Sequence, residues 1–316
     1  MTFDVAIAGG GPAGLALAIE LAGDGASVAV LDRPARRHPR GETLPPGCRP
    51  LLARLGILAE FASGPHERCE GTMAAWGSAE VHVTDYLLHP ERHGWHLDRA
   101  AFEWALAAEA LRRGATILET NVHEVERTGH WSLDGGIKAH VLVDATGRSA
   151  AIARRRGARK LVDDQLVGLA AHFEIASDGA RAYPLIEACE DGWLYSACAP
   201  GGGLVVMLMT DSDLAHARRL HDPATWLAAV LAQPHTAARI AGAKPPSELA
   251  IAPASSHRLS PIAGEAWLAV GDAATALDPL SSQGIVKALR SATEAATAIR
   301  THAFADYAER AADEYA

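Results

Sequence analysis

The chain has 316 residues, about half of them apolar, with 38 acidic against 29 basic side chains and a formal charge of −9. That length allows a large core and two subdomains, and the acidic balance argues against general nucleic-acid binding. No run of about 18 uncharged apolar residues offers a membrane span, and the Met-Thr-Phe-Asp start is not a signal peptide, so a cytoplasmic location is expected.

In chain order, 3–9 and 27–32 read as parallel strands with a helix over 13–23 between them. Residues 33–47 form a polar loop rich in Pro, Gly and Arg, and 48–62 look helical. A strand-like segment at 80–88 precedes an amphipathic helix at 99–113 and a strand at 115–120. A hairpin around Asp134–Gly136 then leads into a buried strand within 140–147. From 165 to 215 the pattern turns to alternating strands with a glycine turn at 201–203, the mark of an antiparallel sheet over a substrate cavity. A helix at 223–241, a strand at 266–272, a helix at 283–300 and a final amphipathic helix complete the chain. The four cysteines, Cys48, Cys69, Cys189 and Cys198, are far apart; reduced thiols are expected and a metal site is not. The basic run Arg154, Arg155, Arg156, Arg159, Lys160 reads as a solvated surface.

The first motif is the run from Val5 to Ala22, in which Gly9, Gly11 and Gly14 are spaced GxGxxG. Gly9 permits the turn off the strand, Gly11 lets a pyrophosphate approach the backbone, and Gly14 lets helix and strand pack closely. Pro12 and Ala13 open a helix whose free N–H groups and positive dipole end suit phosphates. Asp32, with Arg33 beside it, ends the next strand, where it can accept from both ribose hydroxyls of an adenosine. Its charge repels a 2′-phosphate, so NAD or FAD is preferred over NADP.

Two further motifs must meet this one. The run from Asp144 through Gly147 to Arg148 ends a strand in a small-residue turn. The other holds Gly271, Asp272, Asp278, Pro279, Gly284 and Ile285. A strand delivers Asp272 to hydrogen-bond a polyol such as ribitol. Residues from Ser281 to Ile285 make another helix N-terminus, able to stabilise negative charge on a ring. NAD has neither a ribitol nor a ring that becomes anionic on reduction; FAD has both.

Jointly, GGGPAG with Asp32, Gly41-Glu42-Thr43, Asp144-Ala-Thr-Gly147, and GDAATALDP with QGI resemble the FAD-dependent oxidoreductases of the class A monooxygenase and flavin halogenase superfamily. GWHLDRAAF at 94–102 and DGWLYSACAP at 191–200 look like members of that group as well. The resemblance covers about residues 3–300. It implies an α/β fold: a Rossmann-like FAD-binding domain of the glutathione-reductase type with an inserted, mainly antiparallel β-sheet substrate domain. The expected division gives 1–75, 95–160 and 255–316 to the FAD-binding part and 76–94 with 161–254 to the sheet. By the resemblance Arg99 reaches the FAD phosphates or ribityl chain, Arg40 and Glu42 lie by the flavin, and Val122 sits against the adenine.

The implied activity is hydroxylation by a monooxygenase, through a flavin C4a-hydroperoxide, of an electron-rich aromatic substrate. The electrons come from NAD(P)H or an external reductase, and the oxygen from O2. Pro279, Ser281, Ser282 and Gln283 are candidate donors near the ring, and His96 a candidate proton acceptor. Trp76, Trp95, His96, Trp193 and Tyr195 are candidates for an aromatic pocket. GTMAAWGS and GWHLDR are similar in particular to the maturases that hydroxylate a tryptophan in quinone-cofactor amine oxidases and dehydrogenases, so the substrate is either an aromatic small molecule or a protein or peptide side chain. Alternatives are a carbon–carbon double-bond reductase of the geranylgeranyl-reductase kind and, less so, a halogenase. Halogenases use a lysine some thirty residues after the GE motif, whereas this chain has only Lys138, Lys160, Lys244 and Lys287.

Overall fold

The computed structural model describes residues 1–33, 41–120, 122, 125–174 and 182–315. The first strand, Thr2–Ala8, is flanked in parallel by Val28–Asp32 and Ile137–Asp144. Thr116–Glu119 extends one side and Trp267–Ala269 the other, both parallel. The strand core is Val, Ile, Ala and Leu because both faces are buried, one under the helices and the other under Trp131, Leu133 and Ile152. Between the first two strands runs the helix Pro12–Gly23, and nearly every residue in it is buried. It packs between the helices Arg99–Arg112 and Gly284–Thr301, which explains why it is apolar all round rather than on one stripe.

A seven-stranded sheet makes the second layer system. Its centre is three antiparallel strands, Leu166–Phe173, Leu204–Asp211 and Gly192–Cys198, paired without a break in register. Ala250–Pro253 forms one edge; Leu185–Cys189, Gly71–Ala75 and His82–Asp85 continue to the other. The two faces separate with period two. Leu169, Ala171, Leu194, Val206 and Leu208 point back onto Trp226, Val230 and Ile240 of the following helices. Gly168, Ala170, Trp193, Tyr195, Met207 and Met209 take the other face, toward a cavity.

Several elements differ from expectation. The 48–62 helix is two, Arg49–Leu55 and Leu58–Ala62, because Gly56 caps the first at a φ of 79°. The 223–241 helix divides into Pro223–Leu231 and Pro234–Arg239, since Pro234 has no N–H with which to continue a helix. Gly71–Ala75, expected on the FAD-binding side of residue 76, pairs in parallel with Leu185–Glu187 of the second sheet. Two small three-stranded sheets join the parts. One is Thr43–Leu44, Gly94–His96 and Glu67–Cys69; the other is Arg159–Val162, His257–Ser260 and Thr275–Ala276.

Candidate functional site

The glycine turn is sterically enforced. A Cβ on Gly9, whose φ is +114°, would lie 2.3 Å from the Ala145 carbonyl oxygen, and one on Gly14 would lie 2.0 Å from that of Gly9. Gly10, which sequence reasoning passed over, is also crowded, by a side chain rather than backbone: its Cβ would fall 2.7 Å from Asp32 Oδ2. Gly11 is different. Nothing lies within 4 Å of its Cβ position, and it caps the Pro12 helix with no side-chain hydrogen bond. The helix start thus has no side-chain cap and open space at Gly11, as an incoming phosphate requires. Ala13 borders the other end of the motif set, since a Cβ on Gly271 would approach the Ala13 methyl to 2.8 Å. Asp32 stands half-buried opposite Glu119, and Arg33 is exposed. Val122 is partly buried against the core cluster that contains Trp131, its carbonyl accepting from Arg155. Arg40 lies outside the described residues.

Between the second sheet and the start of the Gly284 helix is a cavity of about 440 Å³. Pro279, Ser281, Ser282, Gln283, Gly284 and Ile285 line one wall; Trp193, Tyr195, Met207 and Met209 line the other. Glu42 and Asp272 border it as well. Asp278 accepts from the Leu280 N–H and Ser282 takes a φ of +51°, so a short 3₁₀ turn delivers the chain to the helix N-terminus. Tyr195 donates its hydroxyl to the Gly41 carbonyl at 2.8 Å, and burial pushes its phenol well above the ordinary value. Arg99 bridges Glu42 and Glu103, each at 2.6 Å. Glu42 Oε2 is buried without a hydrogen-bond partner among the described residues.

Two cations at this site were given no role by the sequence reading. Lys287 Nζ lies 3.3 Å from Asp272 Oδ1 and Arg148 Nε 3.7 Å from Oδ2. Lys287 also donates to the Thr275 carbonyl, and burial lowers its pKa against the pull of Asp272. Arg148 donates to the carbonyls of Ser255 at 2.6 Å and Leu277 at 3.1 Å, tying three segments around the cavity. Lys287 was legible in principle, because a side chain in the first turn of a helix leans back over its N-terminus.

Three expectations need correction. Asp144 is 1% exposed; it accepts from the N–H and hydroxyl of Thr146 and from the Ala153 N–H. Its carboxylate is taken up in folding the turn at Gly147 and does not line the cavity. His96 is fully buried in the small sheet, paired in register with Thr43 and Glu67, and is not among the cavity walls. Of the five proposed pocket aromatics only Trp193 and Tyr195 line the cavity. Trp95 is buried against Phe61 and under Arg49, and Trp76 is half exposed on the edge hairpin.

These features fit FAD: an uncapped helix start beside an adenosine-ready acid, an acid for a polyol, an orphaned acceptor at Glu42, and a second helix N-terminus. Residues 2–182 match the model of the family described as FAD binding domain. The chain is 29% identical over 94% of its length to the putative FAD-dependent oxidoreductase LodB of Marinomonas mediterranea, of which it covers 85%. Among solved structures it is similar to the myxobacterial chondrochloren halogenase CndH, with a TM-score of 0.86 and 25% identity, covering 99% of this chain and 78% of that one. It also shares the fold of PqsL, a probable FAD-dependent monooxygenase from Pseudomonas aeruginosa, with a TM-score of 0.80 and 18% identity over 98% of this chain and 92% of that one. Among the described residues no helix is long and apolar enough to cross a membrane. The chain belongs to the FAD-binding-domain family and is an FAD-dependent oxidoreductase of the flavin monooxygenase and flavin halogenase superfamily.

Proposed function

We propose that the protein is an FAD-dependent monooxygenase that hydroxylates an electron-rich aromatic ring, either a small molecule or a tryptophan side chain presented by a protein. One observation carries this reading: the cavity sets Trp193, Tyr195, Met207 and Met209 opposite the segment from Pro279 to Ile285. FAD, when bound, supplies the activation of O2, with electrons from NAD(P)H or a separate reductase. The chain's own residues bind, orient and exclude water. The helix start at Pro12 holds phosphate and Asp32 the ribose. Asp272, fixed by Lys287 and Arg148, orients a polyol. The N–H groups at Gly284 and Ile285 face developing negative charge, and the aromatic and thioether wall keeps the reacting carbon dry.

Halogenation is the second reading, favoured by the likeness to CndH. Against it, the cavity's lysine among the described residues is Lys287, and its ammonium is already engaged by Asp272 and Thr275. The test is anaerobic reduction of the FAD-loaded protein, then mixing with O2 in the presence of indole, phenol or a tryptophan peptide, with and without bromide. A product heavier by one oxygen supports hydroxylation. A brominated product replaces it with the second reading. No oxygen-dependent product, with reduction of a double bond instead, moves the protein to the reductases.

A further inference from the structure

The cavity's sheet wall has an unusual construction. Two cross-strand rows lie side by side on it. One reads Ala252, Gly168, Met209, Trp193; the other reads Ala250, Ala170, Met207, Tyr195. Gly168 sits in mid-strand, where glycine costs stability and marks a bulge or a close approach. No bulge exists, because pairing with the neighbouring strand runs unbroken from Leu166 to Phe173. Its φ is not in the left-handed region, and no other backbone approaches it. What does approach it is sulfur. A Cβ at Gly168 would meet Met209 Sδ at 3.0 Å, Met209 Cε at 3.2 Å and Met207 Sδ at 3.4 Å. The missing side chain lets both thioethers lie down over the strand, and they form the floor between the small Ala rows and the two aromatics.

We infer that Met207 and Met209, bedded on Gly168, are the seat of the substrate ring, and that Gly168 sets how large a ring fits. This rests on the aromatic-substrate reading above and deepens it. Thioethers are polarizable and attract aromatic rings at about 5 Å, each contact contributing up to ~1.5 kcal/mol. Their flexible ends adapt to one-ring and two-ring shapes alike. A side chain at Gly168 would displace only flexible thioether ends, so the sheet stays intact while the floor rises into the cavity.

The chain has four methionines, Met1, Met73, Met207 and Met209, so ¹³C-methyl labelling of the FAD-loaded protein gives a readable spectrum. Saturating indole should move the Met207 and Met209 methyl signals upfield and leave Met73 in place. In Gly168→Val, indole affinity should fall about tenfold, or ~1.4 kcal/mol, while phenol affinity changes much less; Met209→Ala added to that variant should recover only part of the loss, because it frees space but removes one thioether contact. Equal Tm and FAD content in the variants exclude misfolding. The inference is overturned if indole does not bind, if the two signals stay still or move no more than Met73, if FAD alone produces the shift, or if Gly168→Val treats both rings alike. Hydroxylated product without methyl shifts would sink this inference and leave the function standing. Methyl shifts without oxygen-dependent product would do the reverse.

Discussion

Gly11 and Gly14 belong to one motif but should fail in different ways, and the pair separates cofactor binding from folding. A Cβ on Gly14 would sit 2.0 Å from the Gly9 carbonyl oxygen. An ordinary contact needs more than an ångström beyond that, and the obstacle is backbone. Overpacking of this kind costs about 1–3 kcal/mol and sometimes more. With Tm shifts of about 2–4 °C per kcal/mol in chains of a few hundred residues, Gly14→Ala should lower the Tm of the FAD-free protein by roughly 5–10 °C. Gly11 has open space at its Cβ and a φ of −79°, so Gly11→Ala should cost the FAD-free protein no more than ~1 kcal/mol of capping. Its Cβ would instead stand where phosphate must come. At a hundredfold excess over Kd a ligand stabilises its protein by ~2.7 kcal/mol, and most of that gain should vanish in Gly11→Ala. Thermal denaturation with and without FAD, and titration of FAD into the stripped protein, measure both. Undiminished FAD affinity in Gly11→Ala, or an unchanged FAD-free Tm in Gly14→Ala, would refute the reasoning.

Asp272→Asn should weaken FAD about tenfold while keeping the fold, because Lys287 and Arg148 still have carbonyl acceptors at Thr275, Ser255 and Leu277; equilibrium dialysis checks it. Glu187 is 3% exposed and accepts from the N–H groups of His235 and Thr236 and from the Thr236 hydroxyl. Glu187→Leu leaves those three donors without their acceptor and should cost ~2–4 kcal/mol in urea denaturation. The backbone N–H and hydroxyl of Ser27 hold the Asp4 carboxyl below its ordinary 3.8. A lowered carboxylate pKa adds stability above the unfolded value, and that share is lost as pH falls through the folded one. Asp4→Asn should therefore lower stability at neutral pH and flatten its decline below about pH 4, read from Tm against pH.

What the sequence reveals and hides divides along a physical line. The glycine turn, Asp32 and the helix after it are local, so spacing alone places them. The helix start at Gly284 is equally local, and Pro279, Ser281, Ser282 and Gln283 do line the cavity. Asp144 shows the limit of motif reading: its motif is a real turn, yet a carboxylate surrounded by main-chain donors serves that turn first. His96 shows another limit, since nothing in a strand's residues says which sheet it joins. Trp193 with Tyr195, and Met207 with Met209, were each visible as i, i+2 pairs on one face of a strand. That the two pairs stand side by side depends on a cross-strand register set at the turn of Gly201, Gly202 and Gly203. Arg148 was given no role because its meaning comes from Asp272, more than a hundred residues further along the chain.

The contact between Gly271 and Ala13 has a consequence for synthesis. The phosphate-binding helix start lies far ahead, along the chain, of the strand Trp267–Ala269 that joins its sheet and the helix Gly284–Thr301 that covers it. A growing chain therefore leaves one side of its apolar Pro12–Gly23 helix uncovered until residues 284–301 have emerged. Closure, and with it cofactor capture, waits for that distant helix, so long-range pairing sets the pace of maturation.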